Sequence, residues 1–159
     1  MAIALVAGLL GVFGTVVGGV LATWTARQTA DRSARHAHAE LRRQEYRSAV
    51  THFAAALGAY RVAEMDLWHA RHGGFRDEAS AAADVYRTRT GVWDAFYELE
   101  LSTDNRDLTQ QAQRAIDRTG SIWKLDSQAE IDQRADQVRG DLAEMITTAR
   151  LNDPGRLPL

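Results

Sequence analysis

Proline is absent from this chain until Pro154, and only Pro158 follows it. A proline inside a helix removes a hydrogen bond and clashes with the preceding turn, at about 3 kcal/mol or more. A proline-free run this long, rich in Ala, Arg, Gln, Glu and Leu, is built from residues that lose least on entering a helix. No segment alternates apolar and polar residues as a half-buried strand would. An all-α chain is expected.

The chain has 159 residues, room for one ordinary domain or for an anchor plus one small domain. Charged residues are 25% and apolar ones 45%, as in folded proteins. There is no cysteine, which excludes disulfides, zinc–thiolate sites and a thiol nucleophile. Charge is unevenly placed. Residues 27–72 carry a net +3 and residues 73–159 a net −5, within an overall −2.

The first charge is Arg27. Residues 3–24 form an apolar run of 22 residues, about 33 Å as a helix at ~1.5 Å per residue, which matches a hydrocarbon core of ~30 Å. Trp24 stands where an interfacial aromatic belongs. A cleaved signal peptide would want a basic n-region and a small-x-small cleavage site, and this run has neither. A buried helix of a soluble oligomer is the other rival, since glycines dilute the run. A transmembrane helix is the favoured expectation. Arg27, Arg32, Arg35, Arg42, Arg43 and Arg47 follow the span and no basic side chain precedes it. The positive-inside bias then puts the N-terminus outside and the body in the cytoplasm, with these arginines at the membrane surface.

Within the span, Gly14 and Gly18 form a GxxxG step continued by Ala22, beside a row with Gly11, Thr15 and Gly19. Small residues four apart let helices approach closely in lipid, so self-association is expected. Residues 25–45 read as a basic helical stalk whose non-polar row is Ala26, Ala30, Ala34, Ala37 and Leu41. It is either a solvated stalk or a weak coiled coil.

Residues 46–151 read as an antiparallel bundle of about four helices. Tyr46, Val50, Phe53, Leu57, Tyr60 and Leu67 share one face, with Glu64 in the remaining core slot. Gly73-Gly74 supplies a turn. A second helix is expected from about Arg76 to Leu101 with Ala79, Ala82, Val85, Tyr86, Trp93, Phe96 and Tyr97 inward. Ser102–Asn105 ends it. A third should bury Leu108, Ala112, Ala115, Ile116, Thr119, Ile122 and Trp123. Ser127-Gln128-Ala129-Glu130 has capping-box spacing, and Ile131, Ala135, Val138, Leu142, Met145 and Ala149 follow in four–three alternation. Residues 152–159 are expected to be a flexible tail.

Catalytic and metal signatures are weak. Asp66, His69 and His72 lie on neighbouring turns, but a di-iron bundle needs a carboxylate-x-x-His motif on two helices, and only one is present. Histidines at a helix C-terminus are better explained by the favourable dipole there. Glu98 and Glu100 point to different sides of a helix, which does not suit an acid–base pair. There is no GxxxxGK(S/T), HExxH or G-x-S-x-G motif. No catalytic residue, cofactor or metal is expected, and the protein reads as not an enzyme. Glu64 is the acid of most interest, and a buried partner such as Arg87 or Arg89 would make it structural. Residues 27–47 carry a net +3, and beside a membrane they suit anionic headgroups better than direct nucleic-acid contact.

The opening MAIALVAGLLGVFGTVVGGVLATWTARQTADRSARHAHAELRRQEYRSAV resembles the KilB-like small membrane proteins of actinomycete plasmids and integrating elements. The residues carrying the resemblance are the Gly/Ala/Val-rich run, Thr23-Trp24-Thr25-Ala26-Arg27 and Arg43-Gln44-Glu45-Tyr46-Arg47, within residues 1–57. It implies a role in the spread of a conjugative plasmid between compartments, and it carries over no catalytic residue. The expected protein is a non-enzymatic, self-associating membrane component whose bundle docks a protein partner. A holin-like membrane-perturbing factor and a membrane-anchored signalling adaptor are the alternatives.

Overall fold

The computed structural model describes the backbone of residues 2–74 and 76–153 and the side chains of residues 36–74 and 76–153. Four α-helices follow one another: α1 (Ala2–Arg71), α2 (Glu78–Ser102), α3 (Arg106–Thr119) and α4 (Gln128–Leu151), with a 3₁₀ turn at Ile122–Lys124 between the last two. No strand occurs among the described residues. The chain divides into two compact units, Met1–Leu41 and Arg42–Leu159. The first belongs to α1. The second holds the rest of α1 and the other helices.

The start of each of α2, α3 and α4 and the end of α1 have a local chemical cause. Gly73 adopts φ +88 after α1, a conformation that favours glycine, and Gly74 N–H closes back on the His69 carbonyl at 2.8 Å. A side chain on Gly74 would strike that carbonyl, so the expected turn needs both glycines. Asp77 caps α2 by accepting from Ser80 N–H at 2.8 Å. Asn105 caps α3 through Asp107 N–H and Leu108 N–H. The capping box of α4 forms as its spacing predicts, with Ser127 and Glu130 each receiving the other's backbone N–H.

Cross-helix pairs fix the directions. Glu98 on α2 meets His52 near the middle of α1, while Glu78 at the start of α2 meets Arg71 at the end of α1. Tyr46 donates its hydroxyl to the Ala149 carbonyl at 3.0 Å, and Trp68 donates its indole N–H to the Leu125 carbonyl just before α4. Helix α4 therefore runs antiparallel to α1. Gln111 and Arg118 on α3 pair with Glu144 and Asp141 on α4 in reversed order. The second unit is an antiparallel helical bundle.

Its core takes Phe53 and Leu57 from α1, Val92, Ala95 and Leu99 from α2, Leu108, Ala112 and Ile116 from α3, and Val138 and Met145 from α4. Burying a side chain such as Leu or Phe stabilises the fold by roughly 1.5–3 kcal/mol, which is why the stripes face inward. A smaller cluster of Trp68, Ile122 and Ile131 closes the end where α1 finishes and α4 begins.

Two expectations are corrected. The inward face of α2 takes only part of the expected row: Tyr86 is 77% exposed, Tyr97 is 54% exposed and Ala79 is exposed. Phe96 is buried as expected, Val85 and Trp93 are half-buried against the core, and Ala81, Val92, Ala95 and Leu99 supply the rest of the inward face at helical spacing, while the tyrosines keep their hydroxyls in water. Helix α3 does not run on to Trp123. It stops at Thr119, capped by Gly120 N–H on the Ile116 carbonyl at 2.9 Å, and the 3₁₀ turn carries Ile122 back into the core.

No helix among the described residues is long and apolar enough to cross a membrane. The side chains of residues 3–24, on which the membrane-span expectation rests, lie outside the described residues, as do Pro154–Leu159 of the tail.

Candidate functional site

One acid breaks the apolar stripe of α1. Glu64 sits one turn beyond Tyr60, in register with Leu57 and Leu67, so helix geometry forces it inward. Its exposure is 1%. It lines a hollow of about 280 Å³ with Tyr60, with Val85, Arg89 and Trp93 of α2, with Ile116 and Asp117 of α3, and with Gly120, Trp123 and Lys124 beyond α3.

Burial pushes the Glu64 carboxyl above its usual 4.5. The Tyr60 hydroxyl, the Trp123 backbone N–H and the charges of Arg89 and Lys124 oppose that shift without cancelling it. Even so, Glu64 Oε2 has no hydrogen-bond partner among the described residues. Tyr60 is also pushed upward, first by burial and then by its hydrogen bond to Glu64 and that residue's charge. Asp117 adds to this and Arg89 opposes it. An unpartnered, buried carboxylate oxygen is destabilising, so its presence needs a reason.

The expected partners of Glu64 divide. Arg89 lines the hollow and acts on Glu64 through its charge, whereas Arg87 is held by Asp84. Asp117, Gly120 and Lys124 were not legible as neighbours of Glu64, since more than fifty residues separate them from it in the chain. Gly120 carried the one available signal, a lone glycine inside a helical pattern.

The remaining candidates are placed as follows. Asp66 accepts from Arg76 at 2.8 Å. His72 stacks on Trp68 with ring centroids 4.1 Å apart, and His69 meets the same indole edge-on. No three His, Asp or Glu side chains among the described residues are grouped so as to hold a metal ion. Glu98 contacts His52 at 2.7 Å on the surface, and Glu100 is exposed. Arg43 and Arg47 both reach Asp153, at 3.1 and 2.7 Å, beside a wider hollow of about 690 Å³ between α1 and α4. Arg42 lines a separate hollow with Glu45 and Asn152. The side chains of Arg27, Arg32, Arg35, Thr15 and Ala22, and the surroundings of Gly11, Gly14, Gly18 and Gly19, lie outside what is described.

A protein-family model described as KilB plasmid transfer protein matches residues 47–152. Comparison with curated proteins and with solved structures gave no match. The matched stretch begins one residue after Tyr46, where the apolar face of α1 starts, and ends at the cap of α4, so it is the bundle itself. The resemblance read from the sequence lay in residues 1–57 and shares only residues 47–57 with this match. Since the match takes in well over half of the residues, the chain belongs to the KilB plasmid transfer protein family.

Proposed function

We propose that this chain is a non-enzymatic component of plasmid transfer, held in the membrane by residues 3–24 as a single self-associating helix, with its bundle in the cytoplasm. The family match over the bundle carries the reading. The uncharged run of 22 residues supports the membrane location, and the arginines that follow it support the orientation. The small-residue rows through Gly14 and Gly18 support assembly in lipid. In this reading the anchors gather several copies, and the bundles present their surfaces to a protein partner.

Cell fractionation tests the location. The full-length chain should stay with membranes through an alkaline wash and leave them only in detergent. Recovery in the aqueous fraction would remove the proposal. Assembly is tested in a membrane reporter of helix association, where Gly14→Leu with Gly18→Leu should abolish the signal. An undiminished signal would remove self-association through these rows.

A further inference from the structure

Helix α2 carries a second apolar face, on the side away from the core. Successive helix residues turn by about 100°, so Tyr86, Thr90, Trp93, Tyr97 and Leu101 form one stripe within an arc of about 80°. Leu101 is 90% exposed, both tyrosines are exposed and Trp93 is only half-buried. The rings run outward from the core without a gap: Phe53 meets Phe96, Phe96 meets Trp93, and Trp93 leans on Tyr97 at 5.9 Å. A contiguous exposed patch of large apolar side chains marks a surface that another molecule covers.

The charges beside the stripe say which molecule. Arg89 and Glu100 lie on the same edge, in opposite halves of the stripe, and both are exposed. None of the ion pairs among the described residues includes either of them. An antiparallel copy of α2, with a two-fold axis beside Trp93 and Asp94, brings Arg89 of each helix to Glu100 of the other. On the opposite edge Arg87 comes to Glu98 in the same way, although Asp84 and His52 already hold those two. Asp94 meets its own copy, the one like-charged pair. A parallel copy would set Arg89 against Arg87 and Glu100 against Glu98, so like charges would meet along both edges.

We propose that the bundle pairs with a second copy of itself through the outer face of α2, the two helices antiparallel and Trp93 at the axis. Tyr97 packs against Thr90 of the other copy, and Tyr86 against its Leu101 at the rim, where truncation costs little. One helix pair lies at the low end of interface sizes, so the pairing is weak alone and strengthens when copies are gathered. It goes beyond association of the anchors and uses none of their residues.

The chain has no cysteine, so single cysteines report the pairing without background. The full-length chain carrying Gly14→Leu and Gly18→Leu, which removes association through the anchor rows, is treated in detergent with a short bismaleimide. Asp94→Cys should cross-link to itself, since the two copies of residue 94 meet beside the axis. Thr90→Cys, on the same face, should cross-link several-fold less, because its two copies lie about 10 Å apart along the helices. Adding Arg89→Glu to Asp94→Cys should lower the yield at least about fivefold, and adding Glu100→Arg as well should restore it. All four positions are exposed, so the bundle should stay folded by circular dichroism. No Asp94→Cys cross-link, an equal yield from Thr90→Cys, no drop with Arg89→Glu or no recovery with the double reversal would each overturn the inference. So would a cross-link in cells only to a different protein, or protection of the Asp94→Cys thiol only by phosphatidylglycerol vesicles, since either gives the face to another occupant.

Discussion

A β-carbon on residue 120 would stand 2.7 Å from the hydroxyl oxygen of Tyr60, although the two residues lie on different segments of the bundle. Gly120 has φ −67 and ψ 0, a backbone that any residue adopts, so the glycine is required by the neighbour and not by the turn. The next Tyr60 atom, the ring carbon bearing the hydroxyl, would be at an ordinary 3.7 Å. Gly120→Ala should therefore destabilise the chain by about 1–3 kcal/mol through overpacking. In a Tyr60→Phe background the same change should become neutral or slightly stabilising, since the collision is gone and alanine restricts the unfolded chain. Urea denaturation of the four proteins measures the coupling. Additive effects would mean that the contact is not what holds glycine at 120.

The raised Glu64 carboxyl predicts an unusual pH dependence. A group with a folded pKa above its unfolded value holds a proton that the unfolded chain has lost. Its contribution to stability is fully present below 4.5 and is lost as pH rises through the higher folded value. Arg89, Lys124 and Tyr60 moderate the loss by favouring the ionised form, and Asp117 is the other acid lining the hollow. Glu64→Gln should flatten this part of the profile and gain stability relative to wild type as pH rises from about 4 toward 8. Urea midpoints across that range report it. Parallel profiles for the two proteins would contradict the account.

Two leucines on α2 separate burial from residue type. Leu99 is 0% exposed and Leu101 is 90% exposed. Leu99→Ala should destabilise by about 2–5 kcal/mol, through lost transfer energy and the cavity left behind. Leu101→Ala should stay within about 0.5 kcal/mol. Thermal or chemical denaturation of the two variants is enough to check this.

Ser127 begins α4 by accepting Glu130 N–H, and Glu130 accepts Ser127 N–H in return. Ser127→Ala should cost about 1 kcal/mol, and Ser127→Asp should retain most of the stability because an aspartate accepts the same hydrogen bond. Equal losses in both variants, read as denaturation midpoints, would show that the box does not hold the helix start.

Legibility followed the strength of the local signal. Helix α4 has both a capping box and an unbroken stripe from Ile131 to Ala149, so its start and its buried face agree with the pattern. The stripe of α1 from Tyr46 to Leu67 was equally clear, including the slot of Glu64. Helix α2 misled because its aromatics outnumber its small buried residues. Tyr86 and Tyr97 have the apolar area to be core, but their hydroxyls favour the surface, and Ala81, Val92 and Ala95 fill the narrow interior instead. The end of α3 was missed because Ile122 and Trp123 continue the apolar pattern past Gly120, and a lone glycine inside such a pattern is a weak stop. Glu64 itself was readable as a core acid. Its surroundings were not, since Asp117, Gly120 and Lys124 reach it only after the chain has turned twice.

Plasmid spread from donor cells lacking this chain, complemented by the full-length chain or by one without residues 3–24, tests the central claim most directly. The full-length chain should restore spread, and the shortened chain, with its bundle folded by circular dichroism, should not. Full restoration by the shortened chain, or undiminished spread when the chain is missing altogether, would contradict a membrane-held component of plasmid transfer.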